Sequence, residues 1–239
     1  MTSEHVMHEP HGTGYTERMN KLRAGVLGAN DGIVSVAAVV VGVAGATSDT
    51  GAILIAGAAA LLGGALSMAQ GEYVSVSSQS DSHHALIAKE KHELEQMPEA
   101  ELAELAEIYA AKGLSPETAR RVAVELTEHD ALAAHLDAEL SIDQEDIVSP
   151  WNAAVASALS FVVGAALPLL AILLPPEAWR IPVTFVAVLA ALALTGWLGA
   201  RLGDTPHHGR AVLRMVVGGA LALAATFALG SLLGVSGVV

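Results

Sequence analysis

Apolar positions along this 239-residue chain fall in blocks, not at alternating or single-face positions. Five blocks stand out: about Ala24–Ala46, Ala52–Val76, Trp151–Leu174, Ile181–Ala200 and Ala211–Val235. Each is near or above the roughly 20 residues that cross a bilayer as a helix. They are rich in Ala, Leu and Gly without period-two alternation, so they predict helices and not strands. The segment Ser80–Val148 separates the second block from the third and is punctuated like a set of helices. No Gly or Pro interrupts Glu72–Met97, so the second block is expected to run on outward as one long helix. Pro98 suits the first turn of the next helix, which Gly113 stops. Ser115-Pro116-Glu117 then supplies a cap, a first-turn proline and a dipole-favoured acid, opening a helix to about Leu140. The expected fold is all-α: a polytopic membrane protein with five transmembrane helices and a three-helix cytoplasmic metal-binding domain inserted between helices 2 and 3. Its expected parts are a polar tail (1–20), helices 1–2 (21–79), the acidic insertion (80–148) and helices 3–5 (149–239).

Composition agrees with a membrane location. The chain is 53% hydrophobic and only 15% charged, against roughly 25% in an ordinary soluble domain, and its mean hydropathy is +0.51. Residues 1–20 are polar, carry His5, His8 and His11, and lack an apolar core. They therefore read as a disordered tail and not as a secretory signal. Cysteine is absent, which removes disulfides and thiolate metal sites from consideration.

Charge sets an expected orientation. With the N-terminus in the cytoplasm, eleven of the twelve Lys and Arg lie inside and only Arg180 lies outside, as the positive-inside tendency requires. The C-terminus then faces the opposite side. Acid is concentrated elsewhere: Ser80–Val148 holds seventeen Asp and Glu against five Lys and Arg, nearly all of the chain's net −13.

Within the insertion, Glu90 and Glu93 are three apart, as are Glu101 and Glu104, while His135 and Glu139 are four apart; each pair shares a helix face. Converging carboxylates with an imidazole suit a divalent ion such as Fe²⁺, Mn²⁺ or Zn²⁺. A solvated acidic face has the same spacing, although like charges so placed repel unless a cation lies between them. The stretch 92-HELEQ-96 begins like a zinc-protease helix, but Gln96 stands where the second histidine is needed.

Inside the membrane blocks one residue is out of place. Asp31 is the sole ionisable side chain of 27-LGANDGIVSVAAVVVGVAGA-46, and a carboxylate at the centre of a span costs roughly 2.5–3.5 kcal/mol on insertion scales. Met68 is expected at a similar depth on the antiparallel second helix, with Glu72 one turn nearer the cytoplasm. Gly28 and Gly32 on one helix, and Gly63, Ser67 and Gly71 on the other, are expected to let the two approach closely. Asp31, Met68, Glu72, Asn30 and Gln70 would then cluster in the inner part of the bilayer. A carboxylate there can hold a dehydrated divalent ion and take a proton when the metal leaves, and a thioether favours transition metals over Mg²⁺ or Ca²⁺.

LGANDGIVSV (27–36) and LSMAQGEYVSV (66–76) resemble the paired membrane signatures of the vacuolar iron transporter family. GLSPETARRVA (113–123) and LTEHDALAAH (126–135) are similar to that family's cytoplasmic metal-binding domain. The likeness runs from about Asn20 to the C-terminus. It implies a homodimer that moves Fe²⁺, and often Mn²⁺, out of the cytosol in exchange for protons. By resemblance Asp31 and Met68 are transport-path residues, and Glu90, Glu93, Glu101, Glu104 and Glu139 match metal-domain acids. Where that domain is expected to carry methionines, this chain has His135 and Leu136, so the soft donor is lost there and an imidazole stands in its place.

Two other classes fit the same features: a membrane-anchored metal sensor or buffer, for which Asp31 is dispensable, and a gated divalent-cation channel, which shows no coupling to pH. No nucleophile–base arrangement or phosphate-binding loop argues for an enzyme or for direct use of ATP. No permanently bound cofactor and no nucleic-acid partner are expected.

Overall fold

The computed structural model describes residues 13–142, 149–203 and 206–235, with side chains from Gly25 onward. The tail histidines His5, His8 and His11 and the end of the acidic insertion lie outside the described residues. Among the described residues there are seven α-helices and one π-helical turn: α1 (Thr13–Ala46), α2 (Thr50–Gln96), α3 (Pro98–Ala111), α4 (Pro116–His135), the π turn (Leu136–Leu140), α5 (Pro150–Leu173), α6 (Glu177–Leu202) and α7 (His208–Val235). There is no strand among the described residues. Five helices, α1, α2, α5, α6 and α7, are long and apolar enough to cross a membrane. The second is 47 residues of unbroken helix, as the absence of Gly and Pro after Glu72 predicts.

The chain divides into two compact units, Met1–Gly71 with Ala154–Val239, and Glu72–Ala153. In the first, α1 is the central helix because it is apolar on two faces. Val36 and Val40 pack with Ile53 and Ala65 of α2 and with Phe161, Ala165 and Ile172 of α5. Ile33, Ala37 and Val41, spaced by four, pack with Val188 and Leu192 of α6 and Leu223 of α7. Large side chains on the outside, among them Ile55, Leu66, Val163, Val186, Leu221 and Leu232, are exposed. That inverted pattern suits lipid.

Lipid tails are as apolar as leucine, so helix association there depends on close packing and not on removal of surface from water. Glycines make the close packing possible at two crossings of α1. A β-carbon at Gly164 of α5 would collide with the Ala29 carbonyl, and one at Gly230 of α7 with the Gly42 carbonyl. Gly32 faces the α5 backbone at Phe161 and Ala165. The expected glycine-mediated approach of α1 to α2 is thus replaced by an approach to α5, while Gly63 and Gly71 of α2 have nothing within 4 Å. At the other end of this unit Arg180, the lone cation expected outside, is 9% exposed. It donates from Nη1 to the Ser48 carbonyl (3.1 Å) and from Nη2 to Thr50 Oγ1 (2.9 Å), tying the start of α6 to the α1–α2 connection.

The second unit comprises the later part of α2, then α3, α4 and the π turn. Pro98 opens α3, Lys112 caps it, and Gly113 takes φ +105°. Ser115 caps α4 by accepting from the Thr118 N–H (3.3 Å). Ile87 packs with Leu136 and Ile142, flanked by Leu132 and Leu140. The helix expected to run from Pro116 to Leu140 is instead broken at Asp130, whose φ of −160° and ψ of 97° are not helical.

The α1–α7 crossing generates a prediction. Gly230→Ala places a methyl group against a carbonyl that cannot retreat, at a cost of roughly 1–3 kcal/mol. Gly218→Ala, with open space around it, should not destabilise and should gain up to about 1 kcal/mol from the better helix former. Thermal melts of the two purified variants would separate them, and equal melting would remove the backbone contact as a determinant of the fold.

Candidate metal centre

Among the described residues of the second unit, three charged or titratable side chains are buried: Glu90 (3% exposed), Glu101 (5%) and His135 (0%). They come from α2, α3 and the end of α4, so the three helices converge on them. His135 Nδ1 lies 2.9 Å from Glu90 Oε1, 3.7 Å from Glu101 Oε2 and 4.0 Å from Glu139 Oε2. Glu90, His135 and Glu139 each offer a ligand atom within 4.8 Å of the others. The 2.9 Å approach is not a hydrogen bond: Glu90 Oε1 and both His135 nitrogens are sealed from solvent without a hydrogen-bond partner. Buried polar atoms are almost always satisfied. Here the buried oxygen and ring nitrogens are left without partners, and a bound cation would satisfy them.

Electrostatics agree with the geometry. Burial, followed by the neighbouring charges of Glu139, Glu101, Glu93 and Glu104, pushes the Glu90 carboxyl up to about 7. Glu101 is also raised, by burial first and by Glu104 next, with His135 opposing. A divalent ion among these oxygens would oppose all of these effects, because its charge favours the ionised carboxylates. The other two acids of the sequence pairs stand apart. Glu93 accepts from Lys89 Nζ (2.7 Å), and Glu104 is exposed, close enough to act on its neighbours as a charge.

In the first unit, Asp31 is exposed and its backbone carbonyl accepts from Ser35 Oγ (2.6 Å). Asn30 is half-buried and turns toward α6, where its Oδ1 accepts from Thr195 Oγ1 (3.5 Å). Met68 is half-buried against the α1–α2–α5 core, and its methyl group would lie 3.9 Å from a β-carbon at Gly28. Gln70 is exposed, and Glu72 is half-buried at the start of the second unit. Asn30 therefore lies within reach of Thr195, whose hydroxyl also reaches the Leu192 carbonyl (3.2 Å); sequence reasoning missed this neighbour, and a hydroxyl inside an apolar helix was its one visible signal. Asp130, which breaks α4 five residues before His135, was missed as well.

The raised Glu90 carboxyl has a consequence for the metal-free protein. The folded unit holds this proton up to about 7, whereas the ordinary value is 4.5. The group's contribution to stability is therefore full below 4.5 and lost as pH rises through about 7, a swing on the order of 3 kcal/mol. Glu90→Gln should flatten that slope, stabilise the metal-free unit at neutral pH by on the order of 1–3 kcal/mol, and weaken divalent-metal binding. Amide exchange in α3 across this pH range, with and without Mn²⁺, reads all three effects; an unchanged slope would remove Glu90 as its source.

The chain matches the VIT family over residues 22–231. It is 44% identical over 212 residues to a protein of Acanthamoeba castellanii called vacuolar iron transporter, covering 88% of this chain and 78% of that one. It is 36% identical to vacuolar iron transporter homolog 2 of Arabidopsis thaliana, with 94% and 90% covered. With vacuolar iron transporter homolog 1 of Oryza sativa it shares 39% identity, with 95% and 80% covered. With five spanning helices and matches of this extent, the chain belongs to the VIT family and is a multi-pass membrane transporter, not an enzyme.

Proposed function

We propose that the protein carries Fe²⁺, and Mn²⁺ with it, out of the cytosol in exchange for protons, working as a homodimer. The observation that carries this reading is the convergence of the buried Glu90 and His135, whose facing atoms lack hydrogen-bond partners, with the exposed Glu139 and with Glu101 beside them. Three carboxylates and an imidazole suit Fe²⁺, Mn²⁺ and Zn²⁺ better than a monovalent ion. The relatives' names supply iron as the first candidate. The acidic helices 80–148 lie in the cytoplasm on the positive-inside argument, as does the N-terminus, with the C-terminus on the far side. They collect scarce metal near the inner mouth of the pathway, and their net −12 raises its local concentration.

The step through the bilayer belongs to Asp31 and Met68. Asp31 supplies the anionic oxygen a dehydrated cation needs, and Met68 adds a soft donor. Gln70 and Glu72 extend the polar stretch of α2, and Asn30 holds the neighbouring turn of α1 to Thr195. Metal and proton compete for one carboxylate, so release of one favours uptake of the other. The dimer is supported by what one chain leaves uncovered: Asp31 on α1, and Gly63, Ser67, Gln70 and Gly71 on α2, are exposed. Small and polar residues facing outward suit a second copy better than lipid.

Uptake of Fe²⁺, Mn²⁺ and Zn²⁺ into proteoliposomes, with and without a pH gradient, tests the whole reading. Asp31→Ala should abolish transport at every metal concentration while leaving the protein folded; transport at the wild-type rate would sink the pathway assignment. Met68→Ala should slow Fe²⁺ transport but not abolish it. Neutralising Glu90, Glu101 and Glu139 together should raise the metal concentration for half-maximal rate more than it lowers the maximal rate. If that variant stayed inactive at saturating metal, the acidic helices would be a gate and not a collector. Uptake indifferent to the pH gradient would instead favour a channel.

A further inference from the structure

His135 lies at the end of a helix that does not run straight to it. The stretch from Glu128 to Leu140 is mostly Ala, Leu and Glu, with no Gly or Pro, and its weaker helix formers are Asp130, Asp137, His129 and His135. Yet Asp130 takes an extended backbone (φ −160°, ψ 97°) in the middle of α4. Its Oδ1 accepts from the Ala133 N–H at 3.0 Å, the side-chain-to-third-residue bond of a helix cap. The residues after it therefore form a new helical segment, Ala131–His135, which widens into the π turn Leu136–Leu140. That segment ends with Ser141 in the left-handed region (φ 52°) and with the Ile142 N–H donating to the Leu136 carbonyl (2.9 Å). Two unusual backbone features thus flank one side chain, and that side chain is the fully buried His135. His129, on the near side of the break, is exposed.

We infer that Asp130 is the positioning residue of the cytoplasmic metal site: by capping a second segment within α4 it sets the rotation that turns His135 Nδ1 onto Glu90 and Glu101. Without the cap, α4 continues as one helix through Asp130. The segment beyond it then leaves at a different angle, and His135 is carried off the acid cluster. Asp130 is itself exposed and touches the ligands only through the backbone it fixes. The inference rests on the metal-binding reading for its purpose, but the placement of His135 can be measured without metal.

The test uses the full-length protein and three variants: Asp130→Ala, Asp130→Asn and Asp130→Ser. Asn and Ser cap helices about as well as Asp, and Ala does not. In the metal-free protein, hydrogen exchange at the imidazole C2 position is followed by mass spectrometry. His135 should be protected in the wild type, in Asp130→Asn and in Asp130→Ser, and should exchange as fast as His129 in Asp130→Ala. With Mn²⁺ bound, electron spin-echo modulation from imidazole nitrogen should be present in the first three and absent in Asp130→Ala. The affinity of Asp130→Ala should fall by about ten- to one-hundred-fold, as for other groups that orient a ligand. Protection of His135 retained in Asp130→Ala overturns the inference. So does its loss in Asp130→Asn, because the cap is then not the cause, and this holds even if the alanine variant unfolds. If protection follows the cap but the wild type shows no nitrogen modulation with Mn²⁺, the positioning stands and the assignment of His135 as a ligand fails.

Discussion

Glu90 and His135 sit 2.9 Å apart in a sealed space, with Glu101 and Glu139 close by and no hydrogen bond to settle Glu90 Oε1 or either ring nitrogen. Bringing ionisable groups out of water in this way costs several kcal/mol per ion unless something pairs with them. The protein answers in part by letting Glu90 keep its proton to about 7. That leaves the metal-free unit strained in its electrostatics, and much of its construction follows from that strain. Three helices must be held against the repulsion of their own side chains, and apolar contacts such as Ile87 with Leu136 and Ile142 do the holding.

The membrane unit solves the matching problem differently. Several of its other polar groups find partners: Arg180 bonds Ser48 and Thr50 through its two terminal nitrogens, Thr184 bonds the Arg180 carbonyl, and Asn30 meets Thr195. Asp31 is the contrast, an exposed carboxylate on a helix otherwise packed on two faces. The two units thus carry acid in opposite ways. One buries it and raises its proton affinity; the other leaves it at the surface of a single chain, on the helix that organises the bundle.

Much of this architecture was legible in the sequence because its signals are local. Pro98, Gly113 and the Ser115–Pro116 pair mark helix ends through their own backbone chemistry, and the structure places the ends there. The continuity of α2 past Glu72 followed from the absence of breakers. Partner choice was not legible. Gly32 is small wherever it points, and nothing in its neighbours says that α5, not α2, lies against it. The paired acids show the same limit. Spacing puts Glu93 beside Glu90 on a helix face, but only the fold turns Glu93 to Lys89 and Glu90 inward. Asp130 was hidden for a third reason: a capping residue inside a helix-forming run looks like one more exposed acid.

The π turn carries a consequence of an evolutionary kind. A wide turn of this sort is in effect one residue more than an α-helix needs, and Leu136–Leu140 follows His135 directly. Deleting a single residue there would close the turn and move Glu139 from four to three positions after His135, a shift of about 1.5 Å along the axis, with every candidate donor still in the chain. A lineage can therefore gain or lose this arrangement of donors by one codon of insertion or deletion. Descendants that keep all the acids and the histidine can still differ in whether those residues meet, so residue identity without alignment length is a poor guide to inheritance of the site.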